Sequence, residues 1–169
     1  MNWKRVALRV LFFALLGLLI EVFFTGVGRI FKGDWDMEGN ASPWMMPVYG
    51  LLGLFVAPVS DALKRHRISL IPRALLYMML IFVVEYLFGA LFELVGLEIW
   101  NYSRRPLNLH GYITLTYAPF WFFLGLWLEY LHRRIDTCAV ALSRGLDPET
   151  LLAIEQSITK QEGGRQSKA

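Results

Sequence analysis

The sequence predicts an all-α membrane protein: a bundle of four transmembrane helices followed by a cytoplasmic amphipathic helix. Its apolar residues are gathered into long blocks, and 56% of the chain is hydrophobic but only 18% charged, against roughly 25% charged in soluble domains. A helix needs about 20 apolar residues to cross a bilayer. The predicted transmembrane domain is 1–131, with helices at 6–28, 44–63, 70–95 and 112–131.

The basic residues predict the orientation. They cluster in residues 4–9, 64–73 and 133–134, which share one side if four helices alternate. Such clusters usually stay in the cytoplasm. We therefore expect a multi-pass protein of the inner cell membrane with both termini cytoplasmic and the lipid bilayer as its surroundings. Arg104 and Arg105 fall on the outer side, and this exception indicates a functional or structural reason.

The cytoplasmic tail, 132–169, is expected to contain one short helix at about 148–160 and a disordered end. Asp147 can cap that helix, Pro148 suits its first turn, and Glu149 lies near the positive end of its dipole. The apolar side of this helix consists of Leu151, Leu152, Ile154 and Ile158. We expect it to lie on the membrane surface or on the bundle.

The two halves of the transmembrane domain resemble each other weakly. Glu21 and Glu85 each lie about fifteen residues into an outward-going helix, and Trp35 and Trp100 follow them at similar spacings. Parallel repeats of this kind occur in transporters. Two parallel helical-hairpin repeats and a chance match both remain open.

Three carboxylates within the apolar blocks are the main candidates for function: Glu21, Glu85 and Glu93. A charge at the centre of a spanning helix costs about 2.5–3.5 kcal/mol on insertion scales, so it usually faces protein or a water-filled cavity. Glu85 and Glu93 lie eight residues apart, which is about 80° around a helix. We expect them to line one side of a cavity.

Two interpretations of these carboxylates stay open. In one they pair with Arg29, Arg104 or Arg105 and hold the outer loops on the bundle. In the other they form an outward-facing acidic cavity that binds a proton, a cation or a polar solute. Glu129 has a simpler explanation, because His132 and Arg133 lie three and four residues further on and predict a pair on the helix surface.

The stretch between the third and fourth blocks, WNYSRRPLNLHGYITL at 100–115, is too rich in aromatic and polar residues for a simple connector. We define it as the central stretch and expect it to fold back on the bundle, because tryptophan and tyrosine have apolar bodies to bury. Its candidate ligand- or ion-binding residues are Trp100, Asn101, Tyr102, Arg104, Arg105, Asn108 and Gly111.

Several chemistries find no support in the sequence. It has no Gly-rich phosphate loop and no histidines at metal-ligand spacing. No nucleophile set stands out, so we expect neither an enzyme nor a cofactor. The net charge of +3 comes from lysine and arginine at block ends, which does not indicate nucleic acid. Cys138 is the only cysteine, so no intrachain disulfide is possible.

The motifs of the central stretch, with several in the helices, resemble the CmpB family, named for type IV ABC-transporter membrane proteins and including the transmembrane protein 229 group. The resemblance runs from Leu16 to Glu129 and implies a membrane component of a transporter. The family usually has Asp at the position of Asn101. The matching pieces are Glu21, Pro47-Val48-Tyr49-Gly50, Glu85-Tyr86, Gly89, Trp100-Asn101-Tyr102-Ser103, Asn108 to Leu115 and Trp121.

Three function classes follow from these observations. The leading one is a small transporter or permease-like component that binds a polar solute or ion at an outward-facing acidic cavity. Its expected partner is a separate ATPase subunit, or further copies of the chain. The alternative is a non-catalytic membrane organiser or assembly factor acting through helix and tail contacts. The least supported is a membrane enzyme acting on lipid headgroups.

Overall fold

A computed structural model describes the backbone of residues 2–166 and the side chains of residues 2–157. Most of this region is helical. One short hairpin and a 3₁₀ turn interrupt it between the third and fourth helices. The elements are α1 Trp3–Ile30, α2 Met45–Arg65, α3 Leu70–Leu94, β1 Asn108–Leu109, β2 Ile113–Thr114, a 3₁₀ helix Leu115–Tyr117, α4 Ala118–Ser143 and α5 Pro148–Gln166.

Among the described helices, three are long and apolar enough to cross a membrane: α1, α2 and α3. The protein is therefore a helical membrane protein. The fourth predicted helix, α4, is not among them. Its unbroken apolar run, 118–128, ends before Glu129, and Arg133, Arg134 and Asp136 follow within eight residues. A continuous run of about 20 apolar residues, which spanning requires, is interrupted there.

The start of α4 differs from the expected position 112. Residues 113–117 form β2 and the 3₁₀ turn, and α4 begins only at Ala118. Pro119 therefore lies in the first helical turn, where its missing N–H group has no partner to lose. The helix continues to Ser143, well beyond the expected 131, and ends just before Gly145, whose φ is +65°.

The tail helix begins at the predicted residue but extends beyond the expected end at about 160. α5 begins at Pro148 and runs to Gln166, and the Asp147 carboxylate accepts a 2.7 Å bond from Thr150 N. Of the four residues expected to form the apolar side of this helix, the structure describes the side chains of three. Leu151, Leu152 and Ile154 are exposed. The side chain of Ile158 and residues 167–169 at the polar end lie outside the described region.

The helices pack as two hairpins, α1–α2 and α3–α4, with α4 also lying against α1 and α2. Glycines allow the closest approaches. A Cβ atom added to Gly53 would lie 2.9 Å from Val10 Cα, and one added to Gly125 would lie 2.4 Å from Tyr77 Cβ. Small residues promote helix packing in membranes in this way. Whether the hairpins are repeats stays a prediction.

Ion pairs join the helices at the end of the bundle that carries the amino terminus. Arg5 forms a charge-assisted hydrogen bond with Asp136, and Arg9 Nη1 lies 3.3 Å from the same carboxylate. These contacts connect the start of α1 to the second half of α4. Asp136 is therefore part of the helix packing in this region.

Glu129 also lies inside the bundle, so the predicted surface pair with His132 and Arg133 is wrong. Its carboxylate is 6% exposed and lies 2.7 Å from Lys64 Nζ and 3.2 Å from Arg73 Nε. Glu129 is on the face of α4 that meets α2 and α3. It therefore pairs with those two helices and not along its own surface.

Candidate functional site

A cavity of about 800 Å³ lies between the α1–α2 hairpin and α3, and the first half of α4 forms a further wall. We call it the chamber. Its walls are mostly aliphatic and aromatic, with a few polar groups from α1, α2, α3 and the central stretch. Phe55 on α2 and Leu80 on α3 line it and are 59% and 40% exposed. The chamber is therefore open sideways, between α2 and α3.

Glu21 projects from α1 into the chamber. The Tyr49 hydroxyl on α2 donates a 3.0 Å hydrogen bond to its Oε2 atom. The Thr25 hydroxyl, one turn further along α1, donates a 2.9 Å bond to Asn40 O and accepts a 2.8 Å bond from Asn40 N. The segment after α1 is thereby held against this wall of the chamber.

Glu85 approaches the chamber from α3. The Trp121 indole on α4 donates a 3.0 Å hydrogen bond to its Oε2 atom. Tyr102 of the central stretch lines the chamber near the same carboxylate. Burial, and then the negative charge of Glu85, raise the pKa of Tyr102. Its hydroxyl therefore keeps its proton at neutral pH and can act as a donor.

Aromatic rings form a continuous wall beside the two carboxylates. Tyr117 lies edge-on to Tyr102, Trp121 and Phe24, with ring centroids 5.4, 5.9 and 5.6 Å apart. Phe120 continues the wall, 4.5 Å from Phe24 and 5.0 Å from Trp121. We call these five residues the aromatic wall. Edge-to-face ring pairs of this kind are attractive, so the wall is well defined.

The arginines do not pair with the candidate glutamates in the described structure. Arg29 pairs with Asp34 and Glu38, at 3.2 and 3.0 Å. Arg105 places its guanidinium carbon 4.8 Å from the centroid of the Tyr117 ring, and Arg104 is exposed. The expectation that these arginines neutralise the carboxylates is therefore wrong for the described residues, because Arg29 has local acidic partners and Arg105 lies on an aromatic ring.

Glu93 does not share the chamber with Glu85. It accepts a hydrogen bond from the Tyr112 hydroxyl and lines a smaller pocket of about 130 Å³, together with Asn101 and Gly111. The expectation that Glu85 and Glu93 line one side of a cavity is wrong. Their rotation of about 80° is enough to place them in different pockets.

The central stretch folds back on the bundle, as predicted. The Trp100 indole donates a 2.8 Å bond to Tyr112 O and packs edge-on against Phe92, with centroids 5.8 Å apart. Between β1 and β2, His110 and Gly111 have φ values of +53° and +76°. Positive φ at both central residues is typical of a type I′ hairpin turn, and glycine adopts it without strain.

The two asparagines of the central stretch are occupied by contacts within it. Asn101 Oδ1 accepts a 2.8 Å bond from Ser103 N. The Asn108 amide donates to Arg105 O at 2.7 Å and accepts from Gly111 N at 3.2 Å. Both side chains are exposed. Their described role is to shape the loop.

Of the ten candidate residues, the chamber brings four together: Glu21, Glu85, Trp100 and Tyr102. Sequence reasoning did not select Tyr49 or Trp121 as site residues, although both belong to the motifs of the family resemblance. It also missed the role of Tyr117. An aromatic residue in an apolar block resembles any membrane anchor, so the family motifs were the only sequence signal for Tyr49 and Trp121, and Tyr117 had none.

The fold and the chamber together define a helical membrane protein with a ligand-sized cavity that opens sideways. A family described as "Putative ABC-transporter type IV" matches residues 9–154. The chain belongs to this family, as the motifs of the central stretch indicated. No solved structure gives a significant match to the chain.

Proposed function

We propose that this protein is a ligand-binding membrane component of an ABC-type transport system, and that the chamber is its binding site. One observation carries the proposal. Glu21 and Glu85 face an apolar cavity, and their described hydrogen-bond donors, Tyr49 and Trp121, are neutral. A carboxylate in an apolar site is costly unless a proton or a cation neutralises it. A positively charged ligand supplies that neutralisation.

The proposed topology is that of an inner-membrane protein with four spans. α4 is the fourth span, and both termini lie in the cytoplasm. The basic residues at 4–9, 64–73 and 133–134 support it. In this orientation Glu21 lies in the outer half of α1, and the central stretch covers the outer side of the bundle. The polar part of the chamber then lies near the external surface, as an outward-facing acidic site.

A separate ATPase subunit is the proposed partner, because the sequence contains no Gly-rich phosphate loop of its own and the family is named for ABC transporters. Association between copies of the chain is the alternative assembly. Cleavage of a lipid headgroup is not part of the proposal, since no nucleophile or metal set accompanies the carboxylates among the residues that the structure describes.

The test is recovery of a bound molecule. The wild-type protein, a Glu21→Gln/Glu85→Gln variant and a Glu98→Gln control are purified in neutral detergent and analysed by native mass spectrometry. Glu98 is an exposed carboxylate in the loop after α3, outside the chamber. We expect a bound molecule on the wild type and the control but not on the double variant. Equal retention by all three proteins would reject the chamber as the site.

A second function, membrane organisation through the tail, is favoured by the exposed apolar side of α5. Leu151, Leu152 and Ile154 are 42%, 55% and 46% exposed. Replacing these three residues by serine should abolish biological activity if the tail recruits a partner, while the Glu21→Gln/Glu85→Gln variant stays active. The reverse pattern supports ligand binding in the chamber.

A further inference from the structure

We infer that the ligand of the chamber is a cationic amphiphile, a molecule with an ammonium head and a hydrocarbon tail, which reaches its site sideways from the bilayer. This inference rests on the proposed function and specifies its substrate class. Three features of the chamber carry it: the surroundings of the two carboxylates, the apolar character of the remaining walls, and the position of the opening.

The head is recognised where carboxylates and ring faces meet. Glu21 and Glu85 supply negative charge, and the aromatic wall supplies the π surfaces that attract ammonium and guanidinium groups. Tyr117 already shows this affinity, because the Arg105 guanidinium carbon lies 4.8 Å from its ring centroid. Among the described residues, no lysine or arginine lines the chamber. A cationic ligand would supply the positive charge that the residues lining the chamber do not.

The hydrocarbon tail of the ligand is indicated by the rest of the chamber. Away from the carboxylates its walls are formed by aliphatic side chains, including Leu52, Val56, Leu80, Ile81 and Leu124. A small hydrated ion would leave these walls without a partner. A hydrocarbon tail that moves from lipid into the chamber exchanges one apolar environment for another, so it enters at little cost.

The size of the chamber agrees with a ligand of this kind. Its volume of about 800 Å³ falls within the range of roughly 300–1,000 Å³ found for pockets that hold drug-sized molecules. A bare metal ion or a proton needs only a small fraction of that space. The volume therefore favours an organic molecule over an inorganic cation.

The opening faces the region that the membrane occupies. α3 packs on α4 and makes little direct contact with α2. Phe55 and Leu80, on opposite sides of the resulting gap, line the chamber and are exposed. Trp100 and Tyr102 of the central stretch line the end of the chamber that the proposed topology places outside. Lipid, not the external solution, is therefore the direct route for a molecule with a tail.

The experiment compares three probes on the full-length protein in a neutral maltoside detergent, by titration followed with native mass spectrometry. Hexadecyltrimethylammonium carries both head and tail. Tetramethylammonium has the head alone, and hexadecyl sulfate has the same tail with the opposite charge. We expect saturable binding of one hexadecyltrimethylammonium, at least ten-fold tighter than either of the other probes. This comparison needs only the wild-type protein.

Variants then locate the site. Glu21→Gln/Glu85→Gln should weaken hexadecyltrimethylammonium binding at least ten-fold, and Glu98→Gln should leave it unchanged. Leu80→Trp, which narrows the opening, should weaken binding of the long-chain probe. Gel filtration and thermal melting show which variants are folded.

Other outcomes overturn the inference in distinguishable ways. Equal binding of hexadecyl sulfate would exclude a cation-selective head site. Equal binding of tetramethylammonium would exclude a role for the tail, while the proposed function would stand with a polar cation as its ligand. If none of the probes binds saturably, the amphiphile is excluded. The proposed function is then tested by the molecule that the protein retains during purification. If the Glu21→Gln/Glu85→Gln variant retains that molecule as well as the wild type does, the proposed function is also rejected.

Discussion

The Trp121 indole donates a 3.0 Å hydrogen bond to the Glu85 carboxylate and so connects α4 to α3 at the wall of the chamber. The other hairpin contains a matching contact, in which the Tyr49 hydroxyl of α2 donates a 3.0 Å bond to Glu21 on α1. Each carboxylate is thus held by an aromatic donor of its own hairpin. A hydrogen bond to a charged group typically contributes about 1.5–3 kcal/mol, so these contacts also stabilise the fold.

The first prediction concerns the indole donor. Trp121→Phe keeps an aromatic ring in the wall but removes the N–H group that Glu85 accepts. We expect the free energy of unfolding to fall by about 1–3 kcal/mol, measured by denaturant unfolding in detergent. Trp127→Phe is the matched control on the same helix, where Trp127 is 40% exposed and has no described hydrogen bond. Equal losses in the two variants would show that the bond to Glu85 contributes nothing.

The second prediction concerns the buried charge of Glu129, which pairs with Lys64 and Arg73. Breaking a buried pair by removing one partner typically costs about 3–5 kcal/mol. We therefore expect Glu129→Gln to lower the melting temperature strongly, because two cations lose their counter-charge. Adding Lys64→Met and Arg73→Met should recover part of that loss, since the three residues interact directly. No recovery would mean that the loss does not arise from the unpaired charges of Lys64 and Arg73.

The third prediction is a pH dependence at Asp136. The hydrogen bond from Arg5 holds the pKa of the Asp136 carboxyl below its ordinary value. Because the folded-state pKa is the lower one, the contribution to stability is complete above the unfolded value of about 3.9 and is lost as the pH falls through the folded pKa. Asp136→Asn should therefore melt below the wild type at pH 7.

That difference between Asp136→Asn and wild type should close as the pH falls below about 4, the unfolded value for aspartate. Melting curves from pH 7 to pH 3 measure it. Asp36→Asn, at an exposed residue of the loop after α1, is the control and should melt with the wild type throughout. A gap that persists at low pH would indicate that Asp136 stabilises the fold without its charge.

The sequence predicted α1, α2 and α3 well, because their long apolar runs have no other stable environment than the membrane. It predicted α4 less well. The apolar residues before Ala118 belong to β2 and the 3₁₀ turn, and apolar character alone does not distinguish these from helix. The family followed from local motifs in the central stretch, which can be compared without knowledge of the packing.

The partners of the carboxylates were not predictable from the sequence. Opposite charge favoured Arg104 or Arg105, but the structure gives Glu21 and Glu85 the neutral donors Tyr49 and Trp121. Which residues face each other depends on the rotation of each helix, and the apolar blocks do not fix that rotation. Glu129 shows the same limit, since spacing along α4 suggested a surface pair and tertiary packing buried it.

The fourth prediction is the topology. If α4 completes a four-span bundle with both termini inside, reporters fused after Gly39 and Pro106 should report an external location. Reporters fused after Arg67 and Ser143 should report a cytoplasmic one. The basic residues near Arg67 and after Leu131 provide the physical reason. A cytoplasmic signal after Pro106 would exclude this arrangement.

The last prediction concerns the hairpin of the central stretch. Thr114 on β2 is fully buried, and its hydroxyl donates a 2.8 Å bond to Pro106 O, whereas Leu109 on β1 is 49% exposed. With Cys138 first replaced by serine, a cysteine at Leu109 should react quickly with a membrane-impermeant thiol reagent. A cysteine at Thr114 should react at least ten-fold more slowly, because the reagent reaches it only when the hairpin leaves the bundle. Denaturation should make both react at the same rate, which controls for intrinsic reactivity. Fast labelling of a cysteine at position 114 in the folded protein would mean that the hairpin detaches readily from the bundle. The central stretch would then be mobile where it lines the chamber.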